Sequence, residues 1–425
     1  MNQTISVGKP NRGRQAAILV LTLWIVVVLG LISASMLEEV YLELKLAKYQ
    51  RDDFEAMVLA RAGVARAIAD LRNDLMIDYA GKHEMIDSTN DVWARMDEDK
   101  VGQDNKGVPL GRGTYWVWVE DEWGKFNLNM ANLPVLKAAL YELGLEERDA
   151  QTVASAILDW FDPDDRALPP GTGFEDEYYS EVIAKKSHSR WDKDQPPIYH
   201  CKNDRFSSVD ELLSICGVTP ELFYGVDPEK EALPDPIERL KSRAERAGTP
   251  NPREKQFGLR DIFTVYSAGP INVNTADRTV LRILFRAVLN DPQAALASAE
   301  KVLAMRKSTA RASSKDEKAF RDITQFAQAA GLPPHVLDQL NRVAPLTIRS
   351  DTYRIYALGE VNGTRHLICA VVARSLETCN PDSLNSLFDQ GIINRRLMEA
   401  FLRRHRDKRE LIEQATVRVT QWQEL

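Results

Sequence analysis

The chain has 425 residues, which is longer than one typical folding unit and argues for more than one domain. Hydrophobic residues make up 44% and charged residues 28%, which disfavours a chain that is wholly disordered, collagen-like or polytopic in the membrane. The formal net charge of −7 argues against general adhesion to nucleic acid. None of the cysteines forms a CxxC pair, which disfavours zinc-ribbon and thioredoxin-type proteins; the cysteines are Cys201, Cys216, Cys369 and Cys379.

An uncharged apolar segment lies close to the amino terminus, from Ala16 to Ser35. About 20 apolar residues in a helix span the hydrocarbon core of a bilayer, so this segment is predicted to cross a membrane. Basic residues precede it, and Glu38 and Glu39 follow it, which predicts a cytoplasmic amino end and a translocated remainder. The alternative is a cleaved secretory signal peptide, with Ser33 and Ala34 near its cleavage site.

Apolar residues continue beyond this span at intervals of three and four, from Leu37 to Leu75, and no proline interrupts them. The pattern predicts one helix from Ala16 to about Leu75, which would be roughly 90 Å long. A helix of that length needs a surface on which to pack. A signal peptide would end in an extended stretch for its peptidase, so the unbroken pattern favours a membrane anchor that passes directly into an amphipathic rod.

Strand-like segments lie on both sides of a long helical middle. Two of them are joined by Asn362-Gly363, which is a strong hairpin signal. The residues from Asp78 to Gly113 are predicted to form a polar loop that leads from the helix to the sheet. This arrangement predicts an α+β domain that is interrupted by an insertion. The predicted strands are Thr114–Glu120, Tyr353–Val361, Thr364–Arg374 and Thr416–Trp422.

The helical middle contains an internal repeat. Gly124 to Leu136 matches Gly269 to Leu281, and Phe206 to Phe223 matches Phe320 to Leu337. Each unit opens with an Asn-x-Asn motif, as do helix-hairpin-helix modules that bind DNA phosphates, but the Gly-x-Gly turn of those modules is missing and acidic residues stand near by. Helix capping is therefore preferred over ligand binding for Asn127, Asn129, Asn272 and Asn274.

The segment from Ile157 to Tyr179 is rich in carboxylates. It is either a solvated acidic loop or a place where a hard cation such as Ca²⁺ collects oxygen ligands, although the spacing is not that of an EF-hand. The histidines have no metal or catalytic spacing, and neither G-x-S-x-G nor a phosphate-binding loop occurs, so an enzyme is disfavoured. Arg395 to Arg409 is interpreted as a basic helix with a solvated face, or alternatively as a contact for an acidic partner or lipid head groups.

The Arg12-Gly13 leader, the uncharged stem, the rod sequence LARAGVARAIADL (Leu59 to Leu71) and the duplicated motifs together resemble type IV pilin-like proteins. Within that group they resemble the protein K family of minor pseudopilins in type II secretion systems. The resemblance implies an α+β fold, in which a long amino-terminal helix packs on a small antiparallel sheet and a large inserted helical domain contains two SAM-like, helix-hairpin-helix-like modules. It also implies that a prepilin peptidase cuts after Gly13, where Arg14 and Gln15 depart from the apolar residue that the family prefers.

The resemblance implies a structural, non-enzymatic role in protein export. Because the stem lacks the acidic residue of major pilins, the protein is expected at the tip of the pseudopilus, where it takes part in initiation. Expected partners are the minor pseudopilins I and J, the major pseudopilin and the prepilin peptidase, with the rod from Leu44 to Leu75 as the packing surface and no nucleic acid. The expected location is the bacterial inner membrane, crossed once, with the large domain in the periplasm. Relatives bind calcium in the inserted domain, which carries that role to Asp159, Asp162, Asp164, Asp165, Glu175 and Asp176.

The predicted organisation has six parts. They are a basic leader at 1–15, a transmembrane stem at 16–35, the amphipathic helix at 36–78, a loop with the first strands at 79–126, the inserted domain at 127–343 with repeats near 124–223 and 269–337, and further strands with a helix at 344–425. Translocation would permit disulfides, and the pairs with short loops are Cys201–Cys216 and Cys369–Cys379. Two rival functions stay open: a membrane-anchored exterior DNA-binding protein, and a secreted enzyme with an ordinary signal peptide.

Overall fold

The structure is a computed structural model. It describes residues 12–81, 85–94, 107–168, 175–176, 178–179, 200–226, 257–289, 291–309, 319–379 and 412–424. The basic segment at 395–409 and the side chain of Cys379 lie outside the described part of the chain.

The first helix, α1, runs from Arg12 to Gly81 without a break. This confirms the predicted continuous rod and extends it by a turn or more at each end. The side chains from Leu19 to Gln50 are all exposed, because nothing in the described part of the chain packs against this half of the helix. The apolar portion is long and apolar enough to cross a membrane, and it fits a single-pass anchor.

Five antiparallel strands form the main sheet, and from one edge to the other they are Val108–Leu110 (β1), Gly113–Asp121 (β2), Thr352–Val361 (β7), Thr364–Cys379 (β8) and Ile412–Glu424 (β9). All four predicted strands are confirmed, and β7 and β8 form the predicted hairpin at Asn362 and Gly363, which both have positive φ (52° and 84°). The predicted loop from Asp78 to Gly113 is partly wrong, because α1 continues into it and the short β1 lies within it.

The carboxyl-terminal half of α1 packs across one face of this sheet. Small residues such as Ala56, Ala60 and Ala67 are fully buried there and let the helix axis come close to the strands. The approach is closest at Gly359 of β7, where a Cβ atom would collide with the carbonyl oxygen of Ala56. Helix and sheet therefore share one hydrophobic core, and they build the α+β unit that the sequence predicted.

A second, larger hydrophobic core belongs to the inserted domain, which is mostly helical. Its chain leaves the sheet at Asp121 and returns at Thr352, and Asp121 is the register partner of Tyr353 on the adjacent strand. The insertion therefore stands where a hairpin turn would join two neighbouring strands. Its helices are Leu133–Glu142 (α2), Glu147–Phe161 (α3), Pro220–Tyr224 (α4), Leu259–Ile262 (α5), Arg278–Leu289 (α6), Pro292–Thr309 (α7), Ile323–Ala330 (α8) and Pro334–Val343 (α9).

Two pairs of short parallel strands hold the openings of the two repeats. Each Asn-x-Asn segment begins in one strand of a pair, and the other strand comes from the chain that follows that repeat. The pairs are Phe126–Asn127 (β3) with Phe263–Thr264 (β4), and Ile271–Asn272 (β5) with Leu346–Thr347 (β6). The internal repeat in the sequence is thus a repeat in the structure as well.

The second asparagine of each motif forms a two-way clamp that the sequence analysis missed. Asn129 donates to the carbonyl oxygen of Phe206 (3.0 Å) and accepts from its amide (2.7 Å). Asn274 makes the same two bonds with Phe320, at 3.0 and 2.8 Å. Each phenylalanine is the first residue of the second matching block of its repeat, so the paired occurrence of the two blocks was the available signal. The capping interpretation is therefore wrong for Asn129 and Asn274.

The first asparagine of each motif does act locally, as expected of this residue type. Asn127 accepts from the amide of Asn129 (2.8 Å) and caps a short 3₁₀ turn at Leu128–Met130, whereas Asn272 accepts from the amide of Asn274 (2.9 Å). The following long helices are capped by other residues, Asn132 for α2 and Asp277 for α6.

Candidate functional site

Three of the six carboxylates predicted to bind calcium converge at the end of α3. Asp159 lies in the last turn of that helix, Asp162 follows its final residue, and Glu175 arrives from a separate stretch of chain. Each offers one carboxylate oxygen, and the three oxygens lie within 4.8 Å of one another. We call Asp159, Asp162 and Glu175 the acidic cluster.

The acidic cluster is electrostatically strained in the absence of a counter-charge. Glu175 is only 8% exposed, and neither of its carboxylate oxygens has a hydrogen-bond partner among the described residues. Burial, with the neighbouring carboxylates, raises the pKa of Glu175 to about 7 and that of Asp162 to about 6. Buried carboxylate oxygens without partners are the donor set that a hard divalent cation takes, so the residues fit calcium.

Asp159 is held in place by the chain that follows it. Its side chain is fully buried, and both carboxylate oxygens face the amide of Leu168, at 3.2 and 3.4 Å. The indole of Trp160 packs edge-on against Tyr179, with ring centroids 5.4 Å apart, and this contact joins α3 to the stretch that carries Glu175.

The other three predicted ligands do not join the acidic cluster. Asp164 accepts from the amide of Arg166 (2.9 Å), Asp165 accepts from Asn203 Nδ2 (2.8 Å), and Asp176 accepts from the amide of Cys201 (2.7 Å). All six acids could be predicted as calcium ligands from residue type and sequence proximity. Only the conformation of the chain at the end of α3 and after it shows which carboxylates converge.

The structure has Cys201 and Cys216 as free thiols, so the predicted disulfide between them is not formed. Each thiol has a separate partner. Cys201 Sγ donates to the carbonyl oxygen of Asp159 (3.3 Å), and Cys216 Sγ lies 3.2 Å from the hydroxyl of Tyr178. Burial raises the pKa of the Cys201 thiol to about 12, which keeps it protonated. Cys369 is free as well.

A second group of buried acids lies where the inserted domain meets the sheet, and the sequence analysis did not predict it. The group consists of Asp74 of α1 and of Asp87 and Asp91 in the following segment. One carboxylate oxygen from each of the three lies within 4.8 Å of the other two. Arg374 of β8 reaches into this group and forms ion pairs with Asp74 (3.3 Å) and with Asp87. The guanidinium supplies the counter-charge, so this group is a buried ion-pair network.

The same junction contains Asp121, the last residue of β2. Its carboxylate accepts from the hydroxyls of Ser350 (2.6 Å) and Thr275 (2.5 Å). Burial raises the pKa of Asp121 to about 7, although these hydrogen bonds oppose the shift. Asn272 donates to Ser350 Oγ (2.7 Å) and to the carbonyl oxygen of Asp87. The second repeat is thus bonded directly to the helix-and-sheet unit.

The exposed surface of α1 is the third candidate site. Where α1 crosses the sheet, the face turned away from the strands keeps apolar side chains in solvent, with Phe54 61% and Val58 47% exposed, and Ala65 and Ala69 lie exposed on the same face. Gly13, the predicted processing residue, lies in the first turn of this helix.

A long helix that is bare and apolar in its first half and packed on an antiparallel sheet in its second half is the arrangement of pilin-like proteins, and its apolar half fits a membrane anchor. Residues 124–235 match a family model described as "Type II secretion system (T2SS), protein K". These residues cover the first Asn-x-Asn motif, the acidic cluster and the first clamp. The match agrees with the resemblance drawn from the sequence: this part of the chain is similar to type II secretion system protein K.

Individual relatives agree with this family. The chain is 29% identical over 160 residues to type II secretion system protein K of Aeromonas hydrophila, and 30% identical over 100 residues to that of Pectobacterium carotovorum subsp. carotovorum. These matches cover 33% and 24% of the chain, and they span only 42% and 26% of the relatives' own length.

The fold is similar to that of a chain in the crystal structure of the GspK-GspI-GspJ complex from the enterotoxigenic Escherichia coli type 2 secretion system. The TM-score is 0.50 at 17% identity, over 77% of this chain and 94% of the other. At this identity the likeness bears on the fold. It agrees with the long helix, the sheet and the inserted helical domain described above.

Proposed function

We propose that the protein is a minor pseudopilin, a structural component of a type II secretion machine that takes part in pseudopilus initiation and protein export. The observation that carries this proposal is α1, whose bare apolar half suits a membrane and whose packed half carries a folded domain. We further propose that the stem crosses the inner membrane once and that the large domain lies in the periplasm, with a prepilin peptidase and the major pseudopilin among its partners.

The outer face of α1 is the proposed docking surface for helical partners of the pseudopilin I and J type. It lies opposite the sheet-facing alanines, and the apolar side chains of Phe54 and Val58 remain in solvent on it. Small residues at Ala65 and Ala69 would let a partner helix approach closely, and Phe54 and Val58 would supply apolar area. The related complex contains GspI and GspJ by its description, which supports partners of this kind.

A tip position is supported by the site of the insertion. Arg374 bonds to the carbonyl oxygen of Leu71 and to Asp74, near the end of α1 that is farthest from the stem. The inserted domain is attached at that same end, where a further subunit of a filament would stack. The stem contains no acidic side chain from Ala16 to Ser35 to offer to such a subunit. We therefore propose that this protein ends the filament.

Co-purification tests the docking surface. The full chain in detergent would be mixed with its own pseudopilins I and J, as wild type, as Val58→Asp and as Leu110→Asp. Val58 and Leu110 are equally exposed, at 47% and 48%, but Leu110 lies on the edge strand β1. We expect Val58→Asp to lose the complex and Leu110→Asp to keep it, with unchanged melting for both. Equal binding by both variants would reject the surface, and failure of the wild type to bind would reject the partner proposal.

The mass of the mature chain from membranes separates the proposal from one rival. Removal of a cytoplasmic leader after Gly13 would leave the stem attached and a chain that begins at Arg14. A mature chain that begins near Ser35 would identify a cleaved signal peptide, and the pilin-like assembly would then be wrong. Salt-sensitive binding of the full chain to DNA would favour the other rival.

We also propose that the acidic cluster binds calcium. Asp159, Asp162 and Glu175 would hold the ion, and the ion would neutralise carboxylates that otherwise repel each other, so it would join α3 to the stretch that carries Glu175. Binding to the folded state stabilises it by mass action, so calcium should raise the melting temperature of the full chain above its value in chelator. Equal melting in calcium and in chelator would reject this site.

A further inference from the structure

The two stretches of chain that form the acidic cluster need a support that resists their repulsion. Asp159 and Asp162 come from the end of α3, and Glu175 comes from a stretch that follows 13 residues after Asp162 in the sequence. Glu175 is more than nine-tenths buried, with two oxygens that have no hydrogen-bond partner in the described part of the chain. Such a carboxylate points to a ligand, and it must be held at a fixed distance from the other two.

Residues 200–203, which we call the strap, bond to the α3 side of the cluster. Cys201 Sγ donates to the carbonyl oxygen of Asp159 at 3.3 Å, and the amide of Asn203 donates to the carbonyl oxygen of Trp160 at 3.0 Å. Asn203 Nδ2 donates to Asp165 at 2.8 Å. Asn203 has a φ of +48°, a left-handed conformation that asparagine tolerates better than most residues. The strap is thereby shaped to follow the turn after α3.

The strap also bonds to the stretch that carries Glu175. The amide of Cys201 donates to one oxygen of Asp176 at 2.7 Å, and His200 Nδ1 lies 2.8 Å from the other. Asp176 is the immediate neighbour of Glu175, so these bonds fix the backbone from which Glu175 projects. One four-residue segment therefore joins both ligand-bearing stretches, and it uses two of the six predicted ligands to do so.

We infer that Asp165 and Asp176 are tethers of the strap and do not coordinate the ion, and that Asn203 is a positioning residue for the acidic cluster. This inference rests on the proposed calcium site. Each tether acts as a hydrogen-bond acceptor, and an asparagine at the same position keeps one acceptor oxygen while it removes the negative charge. A ligand loses affinity when its charge is removed, whereas a tether keeps its function.

The test is calcium binding to the full chain in detergent, measured by titration calorimetry. We expect Asp162→Asn to weaken binding by on the order of a hundredfold, since ligand charge sets affinity at such sites. Asp165→Asn and Asp176→Asn should stay within about fivefold of the wild type, because asparagine keeps an oxygen that accepts from Asn203 Nδ2 or from the Cys201 amide. What changes is a neighbouring charge and, at Asp176, the contact with His200. Asp165→Ala, which has no acceptor, should weaken binding about tenfold, as loss of a supporting hydrogen bond does at metal sites.

Asn203→Gly is the variant of the strap itself. Glycine keeps the left-handed backbone and removes only the bond to Asp165, so binding should weaken about tenfold while melting in chelator stays near that of the wild type. If Asp165→Asn or Asp176→Asn weakens binding as much as Asp162→Asn, that residue is a ligand and the inference is wrong. If Asp165→Ala binds as well as Asp165→Asn, the tether has no role. A wild-type chain that binds no calcium would reject the site itself, which is a separate result.

Discussion

Replacing Arg374 by methionine would leave two buried carboxylates without their main counter-charge. The arginine side chain is 3% exposed, and its partners Asp74 and Asp87 are 5% and 3% exposed. The guanidinium also donates to the carbonyl oxygen of Ser350 (3.3 Å) and lies over the ring of Tyr353, 4.9 Å from its centroid. Methionine keeps much of the apolar volume and removes all of these interactions, so the change tests electrostatics more than packing.

Removal of one partner from a buried ion pair costs about 3–5 kcal/mol, because the remaining charge stays desolvated. Loss of the contact with Tyr353 adds on the order of 1 kcal/mol. For a domain of this size each kcal/mol lowers the melting temperature by roughly 2–4 °C, so the combined loss of about 4–6 kcal/mol predicts a fall of about 8–24 °C at neutral pH.

Thermal unfolding of the full chain, followed by circular dichroism, gives the measurement. Arg365→Met is the matched control, since Arg365 lies on the same strand and pairs with Glu360 at 2.7 Å, but its side chain is 63% exposed. An exposed pair contributes about 0–1 kcal/mol, so this control should melt close to the wild type. Adding Asp87→Asn to Arg374→Met should restore part of the stability. If Arg374→Met melts like Arg365→Met, the junction does not depend on buried charge and the reasoning fails.

Two further predictions concern the junction and the clamps. The pKa of Asp121 is about 7 in the folded state and about 3.9 in an unfolded chain, so the folded state binds more protons than the unfolded state between pH 3.9 and pH 7. The free energy of unfolding should therefore fall as the pH rises through that range and level off above it. Asp121→Asn should remove up to roughly 4 kcal/mol of this pH dependence, as measured by the difference between its denaturant-unfolding curves and those of the wild type; parallel curves for the two proteins would contradict the assignment. Asn274→Ala should lower the free energy of unfolding by about 2–3 kcal/mol and Asn129→Ala by about 1–2 kcal/mol, because each change leaves a backbone amide and carbonyl unpaired. The larger loss is expected at Asn274 because it is the more deeply buried of the two. A variant without measurable loss would mean that water replaces the clamp.

Periodicity alone was enough to predict the elements that carry the pilin-like fold. The continuous α1, the hairpin at Asn362-Gly363 and the flanking strands were readable because each depends on local spacing: three to four residues in a helix, two in a strand, and a turn dipeptide with positive φ. The repeat was visible for the same reason, since its two copies share residue order. The resemblance to the protein K family rested on residue order as well, in the leader, the uncharged stem, the rod sequence and the duplicated motifs.

Only the tertiary structure decided what the polar residues do. Asn129 and Asn274 looked like caps, but their partners are backbone groups of Phe206 and Phe320, 77 and 46 residues away in the sequence. Six acids near α3 are alike by composition, and the direction of each side chain after the helix ends determines which three converge.

Arg374 gave no signal in its strand, because its carboxylate partners come from α1 and from the segment that follows it, about 300 residues earlier in the chain. The physical reason is the same in each case. Apolar burial is set by the average environment of a helix face or strand face, which sequence periodicity records. A hydrogen bond or a buried ion pair needs one particular partner at about 3 Å, and that partner is fixed only when distant segments pack together.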